Sequence, residues 1–225
     1  MSAYVLGFME HFGLRKYIQC GIRVDKVTYD GAKKTFTVNK TNLENGESNT
    51  KEYDYVIVAT GHFSVPRVPT FPGEDKYTGT IFHSRAFRNE VQFKDKRILV
   101  IGGSYSAEDV ALQCYQFGAD HITIVNRGKM GFKWPKGIEE KAFTEIKEMD
   151  GLKVGFTDGS EGEFDVVVKS TGFLHSFPFM EEKLRLETAN IFNPPLFMQI
   201  VFPKCPRLFY MGMQNQCYTF TMFYE

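Results

Sequence analysis

The stretch Arg97–Arg127, RILVIGGSYSAEDVALQCYQFGADHITIVNR, decides the fold. Arg97–Ile101 is an apolar run of strand length. Ser106–Phe117 places Ala107, Val110, Ala111, Cys114 and Phe117 at helical spacing, and His121–Val125 is a second strand. Strands alternating with a helical pattern imply a parallel sheet covered on both faces. Between the first strand and the helix, Gly102, Ser104 and Ala107 occupy the three positions of G-x-G-x-x-G/A, with Ser in the middle. Gly102 permits the tight turn, a small residue at 104 lets a diphosphate approach, and Ala107 lets helix and strand pack closely. The helix N-terminus turns N–H groups toward a phosphate, and Ser104 and Ser106 can add hydroxyls. The loop therefore reads as a dinucleotide site, the other reading being a glycine-rich turn without a ligand.

The end of the second strand discriminates between coenzymes. An acidic residue there holds the ribose hydroxyls of NAD. Here the strand ends Val125-Asn126-Arg127, and the planar fork of Arg127 suits a 2′-phosphate. NADPH is expected rather than NADH, unless Arg127 is simply a solvated charge. Lys133 and Trp134 follow in GFKWP and suit the adenosine end, though Trp134 reads equally well as a packing residue.

Working outward, the 225 residues carry no net charge, which gives no electrostatic case for nucleic acid or an anionic membrane. With 43 % apolar residues the chain can bury a core. No apolar run approaches the roughly 20 residues of a membrane span, and no secretory signal is visible. The four cysteines, Cys20, Cys114, Cys205 and Cys217, form no CxxC pair, which points to a reduced, cytoplasmic chain.

Residues 1–13 have helical spacing with Gly13 as a stop. Strands are expected at Tyr17–Tyr29, Thr35–Asn39 and Glu52–Ala59, with a turn in Asn42–Thr50. Pro66, Pro69 and Pro72 mark a connector, and a hairpin is expected at 152–169. One internal echo stands out. Residues 52–61, EYDYVIVATG, and residues 163–172, EFDVVVKSTG, each read as a strand that breaks at Thr-Gly. Such breaks let backbone approach a cofactor.

With these residues in place, the chain resembles the flavin-containing monooxygenases. Tyr77, Gly79, His83 and Phe87 fit the family pattern F-x-G-x-x-x-H-x-x-x-F, with Tyr at the first position. IGGSYSAED, both Thr-Gly strand ends, GFKWP and GMQNQCYTF follow in order, most like the trimethylamine monooxygenase branch. The resemblance implies an α/β, Rossmann-like flavoprotein with two dinucleotide-binding domains, the NADPH domain inserted in a partial FAD domain. The implied divisions are 1–70 (FAD), 71–96 (linker with the family motif), 97–172 (NADPH) and 173–225 (return to FAD). The implied activity is transfer of oxygen from O2 to a tertiary amine or a sulfide, with the cofactor carrying the chemistry.

The resemblance also implies site residues. Ser104, Tyr105, Ser106 and Arg127 would contact NADPH, beside Gly102 and Ala107 of the loop. Tyr105 would lie at the flavin–nicotinamide site as the catalytic residue. Val24 and Gln214 would contact FAD, and Thr60 and Gly61 at the end of the first sheet and Thr171 and Gly172 at the end of the second would also bind cofactor. His83 would brace rather than catalyse. Asn215 and Cys217 depart from the residues common in that branch, which puts the amine pocket in doubt.

No G-x-G-x-x-G loop precedes Glu52, so a family core without its two ends is expected, with weak or absent FAD affinity. A disulfide-type pyridine nucleotide reductase would need a redox cysteine pair that the chain lacks. An NADPH-binding remnant without catalysis is the other reading. A homodimer is one compatible assembly.

Overall fold

The computed structural model describes residues 2–88, 90–186 and 194–213. The chain forms two compact units, one from residues 1–62 with 175–225, the other from residues 63–174. The dividing points are His62/Phe63 and Leu174/His175, not the expected 70/71 and 172/173.

The first unit opens with α1 (Ser2–His11), which leaves Tyr4, Val5 and Phe8 exposed. A short 3-10 turn, Leu14–Tyr17, follows, so the first strand starts later than expected. Strands β1 (Ile22–Asp30), β2 (Thr35–Asn42) and β3 (Ser48–Tyr53) form an antiparallel meander. β1 carries a bulge between Val24 and Lys26. The expected strand Glu52–Ala59 is divided: β3 ends at Tyr53, and β4 (Val56–Val58) leaves the meander.

In the second unit, β5 (Val65–Pro66) is followed by a 3-10 turn at Glu74–Lys76 and by β6 (Thr80–His83). Then come β7 (Arg97–Ile101), α2 (Tyr105–Gln116), β8 (His121–Asn126) and β9 (Ile138–Ala142). A second meander, β10 (Ile146–Asp150), β11 (Lys153–Phe156) and β12 (Glu161–Glu163), precedes β13 (Val166–Lys169) and β14 (Phe173–Leu174). The main sheet runs β6-β13-β7-β8-β9, all parallel. Two expectations are corrected here. Residues 71–96 are not only a linker, because Thr80–His83 completes the sheet edge beside β13. Residues 152–169 are not one hairpin, because Val166–Lys169 is buried along its whole length and sits inside the sheet. A continuous apolar run marks a strand covered on both faces, whereas a hairpin on a surface alternates.

Pleating divides the core into two layers. Ile98, Val100, Ile122 and Ile124 pack with Ala107, Val110, Ala111 and Cys114 of α2. Leu99, Val125 and Val167 pack with Met149, Val154 and Phe156 of the meander. One face is thus covered by a helix and the other by antiparallel strands. Phe117, expected on the buried helix face, follows the last helical residue and is exposed.

The chain ends its described course in the first unit with β15 (Leu208–Tyr210), which pairs parallel with β4. The echo in sequence is an echo in structure. In each unit a three-strand meander leads directly into a parallel strand, β4 or β13, and each copy closes on a left-handed glycine, Gly61 (φ +72°) or Gly172 (φ +83°).

Candidate coenzyme site

The site lies wholly within the second unit, at the carboxyl ends of β7, β8 and β13. β7 delivers the chain into Gly102, whose φ of +146° excludes other residues. A Cβ at Gly102 would collide with the carbonyl oxygen of Ser170, just beyond β13. The neighbouring strands hold this approach, since Gly102 N–H donates to Val125 O (3.0 Å) and Ser170 N–H to Ile101 O (2.8 Å). Gly103 packs against Asn126, where a Cβ would come within 3.0 Å of the Asn126 Cβ.

Ser104 is extended and precedes α2, and its carbonyl oxygen accepts from Ala107 N–H (2.8 Å) and Glu108 N–H (3.2 Å). Its hydroxyl makes no cap bond to the helix. Ser104, Tyr105 and Ser106 are exposed, while Ala107 is buried against the sheet. The start of α2 therefore exposes two hydroxyls and a phenol beside its free N–H groups, a setting that suits a diphosphate. Ser170 supplies an independent sign of fit. Its hydroxyl is buried and has no hydrogen-bond partner, at the same backbone contact that only glycine tolerates. A buried unpaired hydroxyl costs about 1–3 kcal/mol, which a polar ligand group can recover.

Arg127 is exposed immediately after β8. The loop that carries it is anchored by Asn126 and Glu140. Asn126 Oδ1 accepts from Gly128 N–H (2.9 Å), and its Nδ2 donates to Glu140 Oε1 (3.1 Å). Glu140 also accepts from Met130 N–H (2.7 Å) and from Trp134 Nε1 (2.9 Å). Burial works against ionisation of Glu140, but these donors outweigh it and hold its carboxyl below the usual range. Trp134 is thus a hydrogen-bonded packing residue. Glu140 and Ser170 were not singled out from sequence. Ser170 sits directly before an expected Thr-Gly, which is a usable signal, whereas nothing about Glu140 in the sequence reveals its three donors.

Thr171 and Gly172 engage their polar groups internally. Thr171 Oγ1 donates to Arg67 O (2.5 Å), and Gly172 O accepts from both Arg67 N–H (2.9 Å) and His83 Nε2 (2.9 Å). Their contribution to the site is to shape the backbone beyond Ser170. In the first unit, Val24 lies partly exposed at the bulge of β1, and Thr60 and Gly61 are exposed after β4. His62 and His175 meet there edge to face (5.7 Å), and both ring nitrogens of His175 are buried without a hydrogen-bond partner. Gln214 lies outside the described residues, as does most of GMQNQCYTF. Among the described residues, no group of three or more metal-binding side chains converges.

A family model described as flavin-binding monooxygenase-like matches residues 1–131. The chain belongs to this family. It is 42 % identical over 225 residues to a trimethylamine monooxygenase of a Pelagibacter species, covering 99 % of this chain and 50 % of the relative. The crystal structure of Tmm from Pelagibacter sp. superposes with a TM-score of 0.89 at 41 % identity, over 98 % of this chain and 50 % of that one. The S-allyl-L-cysteine S-oxygenase of Allium sativum gives a TM-score of 0.78 at 27 % identity, over 94 % and 48 % of the two chains. The Rossmann-like flavoprotein fold is shared with these structures. The chain spans about half the length of the relatives it matches.

Proposed function

We propose that this chain supplies the NADPH site of an O2-dependent flavin monooxygenase that N-oxygenates tertiary amines of the trimethylamine type or S-oxygenates sulfides. The observation that carries the reading is the contact of Gly102 with Ser170, where a backbone cradle only glycine can form meets an unpaired buried hydroxyl. The relatives named for trimethylamine and for S-allyl-L-cysteine support these substrate classes.

NADPH, when bound, supplies the hydride that reduces flavin in such enzymes. Gly102 and Gly103 let the diphosphate approach, Ser104 and Ser106 donate to it, and α2 directs its N-terminus at the same charge. Arg127 takes the 2′-phosphate. Tyr105, at the first position of α2, is assigned to the reacting end. Val24, Thr60, Gly61 and Gln214 are assigned to FAD. Among the described residues of the first unit, no strand passes through a glycine turn into a helix. The second reading is NADPH binding without catalysis by this chain alone. The free thiols of Cys20 and Cys205 suit a reducing compartment such as the cytoplasm.

The test uses the purified chain with NADPH and added FAD in an oxygen electrode. Oxygen uptake stimulated by trimethylamine or a sulfide supports the monooxygenase reading. NADPH binding without uptake supports the second reading, and absence of NADPH binding overturns both.

A further inference from the structure

Residues 127–137, RGKMGFKWPKG, carry Arg127, Lys129, Lys133 and Lys136 and no acidic side chain. Such a loop repels itself and gains nothing from secondary structure, yet it is held at three points by one carboxylate. Glu140 on β9 accepts from Asn126 at the loop's entrance, from Met130 N–H in its middle and from Trp134 Nε1 further along. A fourth tie joins the same turn, as Phe143 N–H donates to Gly128 O (3.1 Å). Asn126 is itself buried and lies against Gly103 of the diphosphate loop. A continuous chain of contacts therefore runs from Gly103 through Asn126 to Glu140, and back to the backbone on both sides of Arg127.

We infer that Glu140 is the positioning residue for coenzyme discrimination, fixing the cationic loop in the register that places Arg127 against a 2′-phosphate. The inference rests on the NADPH reading and deepens it. Glu140 does not touch the coenzyme. Its four lone-pair sites organise donors that would otherwise turn to solvent, and its negative charge offsets part of the repulsion among four cations. Preorganisation of this kind appears in binding because the ordering cost of the loop is met on folding rather than when the ligand arrives. Only the phosphorylated coenzyme reaches Arg127, so only its affinity depends on the loop.

The experiment titrates NADP+ and NAD+ into the full chain and into three variants, with thermal unfolding in parallel. Glu140→Ala removes all three acceptor contacts. Glu140→Gln leaves an amide that opposes at least one donor whichever way it is turned. Glu140→Gln/Trp134→Phe removes the donor that the amide would oppose. The expected result is a wild-type preference for NADP+ that falls about tenfold in Glu140→Ala, with NAD+ affinity unchanged. Glu140→Gln is expected to fall between, and the double variant to recover toward wild type. Should Glu140→Ala fail to fold, the Gln pair carries the test. A wild-type preference that survives every variant overturns the inference and leaves the NADPH reading standing. Equal loss of NADP+ and NAD+ also overturns it, by showing a merely structural role. A wild-type chain without preference overturns the NADPH reading itself.

Discussion

His83 Nε2 donates to the carbonyl oxygen of Gly172 at 2.9 Å, joining residues 89 positions apart in the chain. The tautomer follows from the other nitrogen, since Nδ1 accepts from Arg85 N–H at 3.1 Å and so carries no proton. Tyr77 makes the matching bond at the opposite end of β13, its hydroxyl donating to Phe164 O at 2.7 Å. Gly79 leaves no room for a Cβ beside Asp165 O, and the Phe87 ring stacks on Phe93 at 5.5 Å. Tyr77, Gly79 and His83 of the family pattern thus hold the chain on both sides of β13, which leads into Ser170 against Gly102, while Phe87 packs on Phe93. His83 is a brace.

A neutral His83 makes stability depend on pH. Burial pushes its pKa down, with the Arg85 and Lys169 charges, against the opposing pull of the Gly172 carbonyl. Burial likewise lowers His62 and His175. The unfolded chain therefore takes up protons first, near an ordinary histidine pKa of about 6.5. Stability is full above that value and falls as pH drops toward the depressed folded values. Thermal unfolding at pH 8 and pH 5.5 should show a loss for wild type and a smaller loss for His83→Phe. An unchanged pH slope in the variant would refute the assignment.

Gly102→Ala places a methyl group against Ser170 O at a φ that L side chains avoid. A cost of about 1–3 kcal/mol is expected in denaturant unfolding, together with weakened NADPH binding. Gly31→Ala meets open space and serves as the control, within about 0.5 kcal/mol of wild type.

Arg127→Ala should separate the coenzymes. Loss of a charge-assisted contact predicts about tenfold or greater weakening of NADPH, with NADH unaffected. The salt dependence of NADPH binding should fall with it. Fluorescence titration at two ionic strengths measures both, and parallel weakening of NADH would count against the role.

Legibility of the sequence varied by feature for physical reasons. The coenzyme loop is readable because steric need at Gly102 and close packing at Ala107 are local demands on residue type. The repeated Thr-Gly strands are readable because the same supersecondary unit recurs. Pairing is different. Whether Val166–Lys169 stays with β12 or enters the main sheet depends on β6 and β7, about 70 to 85 residues earlier in the chain. Thr80–His83 is too short to show a period and becomes a strand only because β13 offers it an edge. Glu140 draws on a main-chain N–H and two side chains 6 to 14 residues away, and a carboxylate at that position carries no sign of them.

Lys169 belongs to the same class of hidden contacts. Its ammonium group, on a side chain 2 % exposed, donates to Glu74 Oε1 (2.6 Å) and to Pro69 O (2.8 Å), over the ring of Phe71. The proline-containing connector is thereby fastened to β13. Glu74→Leu strands a buried cation and should cost about 3–5 kcal/mol. Lys169→Met/Glu74→Leu should recover part of that loss in urea unfolding. Strictly additive losses would contradict the pair.

The most direct measurement is calorimetric titration of the 225-residue chain with NADPH and with NADH at one ionic strength. One NADPH per chain, held about tenfold or more tightly than NADH, is the result predicted from Gly102, Ser104, Ser106 and Arg127. Equal affinity for the two coenzymes, or heat of binding from neither, would contradict it.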